Sequence, residues 1–194
     1  MFNGYTSGPG TNIPENYQKY TLHPGFLFVS REPTIITTIL GSCISVTLYD
    51  KVRKYGGMNH YIMPVVSKGE EPTCKYGNVA MFTLLRSMLE YGSKIEDLTA
   101  QIAGAARTKC NFLSEQIADH NIHIARSMLH KYSIPVQYKN VGGNRGRKII
   151  YDTDKNQMHV TYLKQHYDIC KTSGTKEKDY HTEPGMNPFD FGSN

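Results

Sequence analysis

The feature that most narrows the fold is a change of hydrophobic period along the chain. Ile44, Val46 and Leu48 alternate with Ser45, Thr47 and Tyr49, the period of two that a strand shows when one face is buried. Residues 58–63 read the same way, which leaves 50–57 as the connecting loop. At Asn78, placed here as a helix cap, the period lengthens. Val79, Phe82, Leu85, Met88 and Leu89 recur at helical spacing until Gly92 closes the segment. A short strand is expected over 101–105, then a second helix over 115–132 with Ile117, Ile124, Met128 and Leu129 inward. Ser133-Ile134-Pro135 ends that helix, because proline has no N–H to continue the ladder and drives the preceding residue toward extended conformations. Strands follow over 134–141, 148–152 and 158–162, the last two joined by Thr153-Asp154-Lys155-Asn156-Gln157, which is turn chemistry. The fold class is therefore mixed α+β.

With 194 residues, 39% of them hydrophobic, the chain can bury one core of ordinary size, and no apolar run approaches the length of a membrane span. We expect one domain over residues 21–164, a disordered N-terminal arm over 1–20 and a polar C-terminal tail over 165–194. The arm is rich in Gly, Asn and Pro and lacks the pattern of a secretory signal, so the cytoplasm fits best. The net charge of +5 is uneven: +7 over residues 21–164 and −2 over the tail. The basic residues are scattered, with no aromatic platform among them, so an acidic protein partner is a better expectation than nucleic acid. Gly142-Gly143-Asn144-Arg145-Gly146-Arg147-Lys148 looks like a phosphate cradle but precedes a strand pattern instead of a helix, and is read as a turn between strands.

Cys43, Cys74, Cys110 and Cys170 lie far apart with no C-x-x-C pair, which argues against zinc and against a thioredoxin-like motif. His120 and His123 share a helix without further ligands nearby and are assigned an exposed or capping role; no metal and no cofactor are expected.

One pair of residues points to chemistry. Cys43 stands in Leu40-Gly41-Ser42-Cys43, and His60 follows seventeen positions later behind Gly56 and Gly57. A thiolate is a strong nucleophile, and a nearby imidazole both lowers the thiol pKa and returns the proton to a leaving group. A cysteine in a Gly/Ser/β-branched stretch also fits a small buried hydrophobe, and a single histidine a structural role. Strand geometry restrains the catalytic reading. A symmetric hairpin around 50–57, with Tyr49 opposite Met58, would put Cys43 opposite Pro64, four residues from His60 and about 13 Å along the strand. The two strands must then diverge, bulge or lie in different layers for the pair to meet.

Read in full, Thr37-Thr38-Ile39-Leu40-Gly41-Ser42-Cys43-Ile44-Ser45-Val46-Thr47-Leu48-Tyr49-Asp50 followed by Gly56-Gly57-Met58-Asn59-His60-Tyr61-Ile62-Met63-Pro64 resembles the CheD family of chemoreceptor glutamine deamidases. The resemblance continues through Lys75-Tyr76-Gly77-Asn78-Val79-Ala80-Met81, Asn121 and Val141-Gly142-Gly143-Asn144-Arg145-Gly146-Arg147-Lys148, and spans about residues 21–164. Two departures stand out: Ile102-Ala103-Gly104-Ala105-Ala106 replaces the family's usual Phe-Gly-Gly-Ala strand end, and Ala118 stands at a helix-start glycine.

The resemblance implies a single-domain layered α/β/β sandwich of the CheD-like cysteine hydrolase type, in which Cys43 and His60 meet. It implies a protein-glutamine amidohydrolase acting on methyl-accepting chemotaxis receptors at chemoreceptor clusters, with Cys43 as nucleophile and His60 as general acid/base. Thr37 matches the family's threonine and would orient His60, with Thr38 as a close rival; the backbone N–H groups of Ser42 and Cys43 are the oxyanion candidates. Asn59 points to the opposite face by alternation and is assigned a structural role. The alternative is a non-catalytic adaptor that binds receptor helices or a CheC-type phosphatase. No nucleic acid and no direct membrane insertion are expected.

Overall fold

The computed structural model describes residues 17–107 and 112–164. Among the described residues, nine strands form two sheets and two α-helices cover one of them. The strands are β1 (Gln18–Thr21), β2 (Phe26–Ser30), β3 (Thr34–Leu40), β4 (Ile44–Asp50), β5 (Tyr55–His60), β6 (Leu98–Gly104), β7 (Val136–Val141), β8 (Arg147–Asp152) and β9 (Gln157–Tyr162). The helices are α1 (Gly77–Glu90) and α2 (Phe112–Lys131). One sheet runs β1-β3-β8-β9, the other β2-β5-β4-β6-β7. Both are antiparallel except at β1/β3 and β6/β7.

Alternation along β4 builds the layers. Ile44, Val46 and Leu48 point to one side, where they pack with Tyr55 and Tyr61 under Ala80, Leu84 and Met88 of α1 and Ala118, Ala125 and Leu129 of α2. The other face meets the second sheet. There Met58 and the half-buried Cys43 pack with Leu22, Ile36, Leu40, Ile149 and Tyr151. The order of layers is helices, five-stranded sheet, four-stranded sheet: the mixed α+β layered sandwich expected from the sequence. Gly56 and Gly57 let all three layers close on β5. A Cβ on Gly56 would lie 2.8 Å from the Tyr151 hydroxyl, and one on Gly57 2.6 Å from a Val29 methyl.

Several local expectations need correction. Asn78 is not the cap of α1: Tyr76 occupies that position without a side-chain bond, and Asn78 is buried inside the first turn. The buried stripe of α1 is Gly77, Ala80, Met81, Leu84, Leu85 and Met88, while Phe82 and Leu89 face solvent. The helix ends at Gly92 as read, with φ +91°. The strand expected over 101–105 is the longer β6. Residues 18–20, assigned to the arm, belong to β1, where Tyr20 stacks on Phe28 with 4.1 Å between ring centroids. The expectations for residues 1–16 of the arm, for Cys110, for Cys170 and for the tail lie outside the described residues.

The connection between β4 and β5 is shorter than the sequence implied. Only residues 51–54 turn. The Asp50 carboxylate accepts the N–H groups of Val52 and Arg53, and Lys54 takes φ +59°. The β8–β9 turn repeats this construction: Asp152 accepts from Asp154 and Lys155, and Asn156 takes φ +54°. An aspartate that satisfies two turn N–H groups, with a left-handed residue four positions on, is one solution used twice.

Candidate active site

The short turn resets the register. Tyr49 stands opposite Gly56 and Thr47 opposite Met58, two residues tighter than the symmetric hairpin, and the bridge between Ile44 and Tyr61 keeps the same register. Continued one step, it sets Cys43 opposite Ile62, two residues or about 7 Å along the strand from His60. By parity, Cys43 and His60 share the face toward the second sheet. The ladder opens once on the way: Val46 N–H donates to Asn59 Oδ1 (2.9 Å) and Ser45 Oγ to the Asn59 carbonyl. Asn59 also reaches Met81 of α1 at 3.4 Å, so it serves the helix side, as alternation required.

Cys43 lies in the three-residue corner, Gly41-Ser42-Cys43, by which the chain leaves β3 in one sheet and enters β4 in the other. The corner is held by its carbonyls. Ala106 N–H donates to Gly41 O (2.7 Å), Ala105 N–H to Cys43 O (2.6 Å), and Asn121 Nδ2 to Ser42 O (3.4 Å). Among the described residues, the N–H groups of Ser42 and Cys43 have no backbone acceptor outside the strand ladders. Gly104 makes this tightness possible: with φ +120° it carries no Cβ where the Cys43 carbonyl and Ile44 Cα pass.

His60 ends β5 and is 1% exposed. Thr38, not Thr37, faces it. Thr38 Oγ1 lies 2.9 Å from His60 Nδ1 and donates its proton to the Leu22 carbonyl at 2.8 Å. A hydroxyl has one proton, so toward the imidazole Thr38 accepts, and Nδ1 carries the hydrogen. Nε2 then holds the free lone pair; it is buried and has no partner. Thr37, one residue earlier on β3, points to the opposite face and is only half-buried. It contributes through its backbone, whose carbonyl accepts from Leu22 N–H at 2.9 Å and so holds the carbonyl that Thr38 uses. Sequence alone left the two threonines one residue apart; alternation against Ile36 and Leu40, which face the inter-sheet core, separates them.

Burial governs the electrostatics. It pushes the His60 pKa from the ordinary 6.5 to about 4, with the Leu22 carbonyl acting in the opposite sense and His23 adding to the depression. Burial also pushes the Cys43 thiol up, against a smaller opposing pull from its own backbone N–H. The expectation of a depressed thiol pKa is therefore reversed. Both shifts disfavour the charged forms, since a dry site penalises either ion.

Asn121 is the residue whose role sequence reading missed. It is wholly buried on α2, and its Nδ2 reaches Ile62 O (2.8 Å) as well as Ser42 O. Its presence within the family resemblance was the signal available. His120 and His123, by contrast, are exposed on α2, and no group of three or more potential metal ligands occurs among the described residues. No helix among them is long and apolar enough to cross a membrane.

Comparison with known proteins identifies a family. The family model described as CheD chemotactic sensory transduction matches residues 63–162, a stretch that begins just after His60. A probable chemoreceptor glutamine deamidase CheD of Sulfurimonas denitrificans is 34% identical over 152 residues, covering 77% of this chain and 97% of the relative. Proteins of the same description from Trichlorobacter lovleyi (40% over 141 residues; 70% and 85% covered) and Anaeromyxobacter dehalogenans (CheD 1; 36% over 143 residues; 73% and 83% covered) are similar as well. Matched over more than half its length by the family model and over about three quarters by such relatives, the chain belongs to the CheD family.

Proposed function

We propose that the protein deamidates glutamine side chains of methyl-accepting chemotaxis receptors, converting them to glutamate through a Cys43 thioester. The observation that carries this reading is the state of His60: Nδ1–H is committed to Thr38, whose own proton is committed to Leu22, so Nε2 is left as an unpartnered base on the face that Cys43 shares.

His60 Nε2 takes the thiol proton as Cys43 Sγ attacks the carboxamide carbon, so that a neutral pair becomes reactive only in the presence of substrate. The tetrahedral oxyanion is met by the N–H groups of Ser42 and Cys43. Collapse breaks the C–N bond, and the imidazolium gives its proton to the leaving nitrogen, which departs as ammonia. Water then attacks the thioester, giving a proton to Nε2; the C–S bond breaks, glutamate is released and the proton returns to sulfur. The balance is one water consumed and one ammonia formed per glutamine. A receptor substrate puts the protein at chemoreceptor clusters.

Mass spectrometry of a chemoreceptor cytoplasmic fragment tests this. A gain of about one dalton at particular glutamines, with ammonia release, is expected from the unmutated protein and from neither Cys43→Ala nor His60→Ala. Binding of the fragment without any mass change would favour the adaptor reading, with a CheC-type phosphatase as the next partner to assay.

A further inference from the structure

We propose that Asn121 is a positioning residue that aims the oxyanion donor, by holding the Ser42 carbonyl so that the Cys43 N–H points into the site. The proposal rests on the deamidase reading and assigns a role to a buried side chain of the helix layer.

Asn121 comes from a different element than either reacting residue. Its Nδ2 meets two carbonyls, Ile62 O at 2.8 Å and Ser42 O at 3.4 Å, while its Oδ1 is buried without a partner. Two acceptors fix which end of the amide faces the corner, since reversing it would set oxygen against oxygen. Tyr61 Oη donates to the Asn121 backbone carbonyl at 2.7 Å, which ties α2 to the residue after His60. One side chain thus spans both segments of the site: the corner before Cys43 and the continuation of β5 opposite it.

The consequence follows from peptide geometry. In a planar trans unit, C=O and N–H point in opposite directions. Drawing Ser42 O toward α2 turns the Cys43 N–H away from the helix layer. The neighbouring units are pinned by Ala106 and Ala105, so the middle one depends on Asn121 for its orientation. A fold that only needed an anchor here would be served by a fully satisfied side chain. Here Oδ1 is left buried without a partner while Nδ2 serves both carbonyls.

The test separates acyl chemistry from thiol reactivity. Asn121→Ala and Asn121→Ser are compared with the unmutated protein in three assays: receptor deamidation, alkylation of Cys43 by iodoacetamide, and binding of a peptide carrying glutamate γ-semialdehyde. In the last, Cys43 sulfur adds to the aldehyde carbon and the thiol proton ends on its oxygen, giving a hemithioacetal whose oxygen occupies the oxyanion position. Alkylation is a displacement at carbon and needs no oxyanion donor. We expect Asn121→Ala to lower kcat about 10- to 100-fold with KM within twofold, and to weaken aldehyde binding by a similar factor. Alkylation should stay within twofold, and Asn121→Ser, which retains one donor, should fall between. Parallel loss of alkylation, unchanged aldehyde binding, or failure of both variants to fold would overturn the proposal. If the unmutated protein binds the aldehyde but deamidates no receptor, the deamidase reading fails while the aldehyde and alkylation arms still decide the role of Asn121.

Discussion

Replacing Gly104 by alanine perturbs the corner that carries Cys43, the proposed nucleophile, without touching its side chain. The added Cβ would fall well inside 3.0 Å of the Cys43 carbonyl, 2.9 Å from Ile44 Cα and 3.2 Å from a Leu40 methyl, at φ +120°. Two of those neighbours are backbone, so relief must come from the corner itself, by about half an ångström or more. Overpacking of this kind costs about 1–3 kcal/mol, and an unfavourable backbone region a further 1–3 kcal/mol. The sum, about 2–6 kcal/mol, is a large share of a typical domain's stability. Because a shift of about 1 Å at a reacting group can cost about 100-fold, we expect kcat to fall about 10- to 100-fold in receptor deamidation, with the loss of stability read from urea unfolding. Gly69→Ala is the control: φ is +85° there but nothing lies within 4 Å, so only the backbone cost of about 1 kcal/mol applies and kcat should not change. Wild-type kcat in Gly104→Ala, or an equal loss in Gly69→Ala, would refute the argument that packing against the corner sets the rate.

Two other outcomes follow from the histidine. Thr38→Val should lower deamidation at least 10-fold and destabilise by about 1–3 kcal/mol, since it strips a partner from both His60 Nδ1 and Leu22 O, whereas Thr37→Val should stay within about 0.5 kcal/mol and keep its activity. The reverse ranking would return the orienting role to Thr37. Because burial holds His60 at about 4, below its ordinary 6.5, the folded state binds fewer protons than the unfolded one across that window. Its contribution to stability is complete above pH 6.5 and is lost as pH falls toward 4, by up to about 3 kcal/mol, and the acid limb of kcat/KM should lie nearer pH 4 than 6.5. Unfolding midpoints and rate profiles from pH 4 to 8 measure both; an acid limb at 6.5 would contradict the burial argument.

What could be read from the chain was whatever repeats over several residues. Helix α2, strands β8 and β9 and the turn joining them carry periodicity and turn residues within a short window. Cys43 and His60 stood out because Gly-flanked reactive residues are conspicuous, and because their neighbourhoods resemble one family. Strands β1 to β3 carry no clean alternation: the run Thr34-Ile35-Ile36-Thr37-Thr38-Ile39-Leu40 is compatible with either face inward, so the choice between adjacent threonines waited on which of them met β5. The β4–β5 turn was obscured by Gly56 and Gly57, which read as loop residues but serve as strand positions where three layers leave no room for side chains. The thiol pKa was missed for a different reason. Sequence shows a potential partner for a charge, but not the desolvation that opposes charging it.

The four residues between Asp50 and Tyr55 determine more than a bend. Since side chains alternate along β5, a slip of one residue there would send the imidazole toward α1: one residue more would set Asn59 in its place, one fewer Tyr61. Two residues more would restore the face but carry the imidazole about 7 Å from its place. Here loop length acts as a parity check on which face His60 meets, and the Asp50 carboxylate enforces it by holding the N–H groups of the turn.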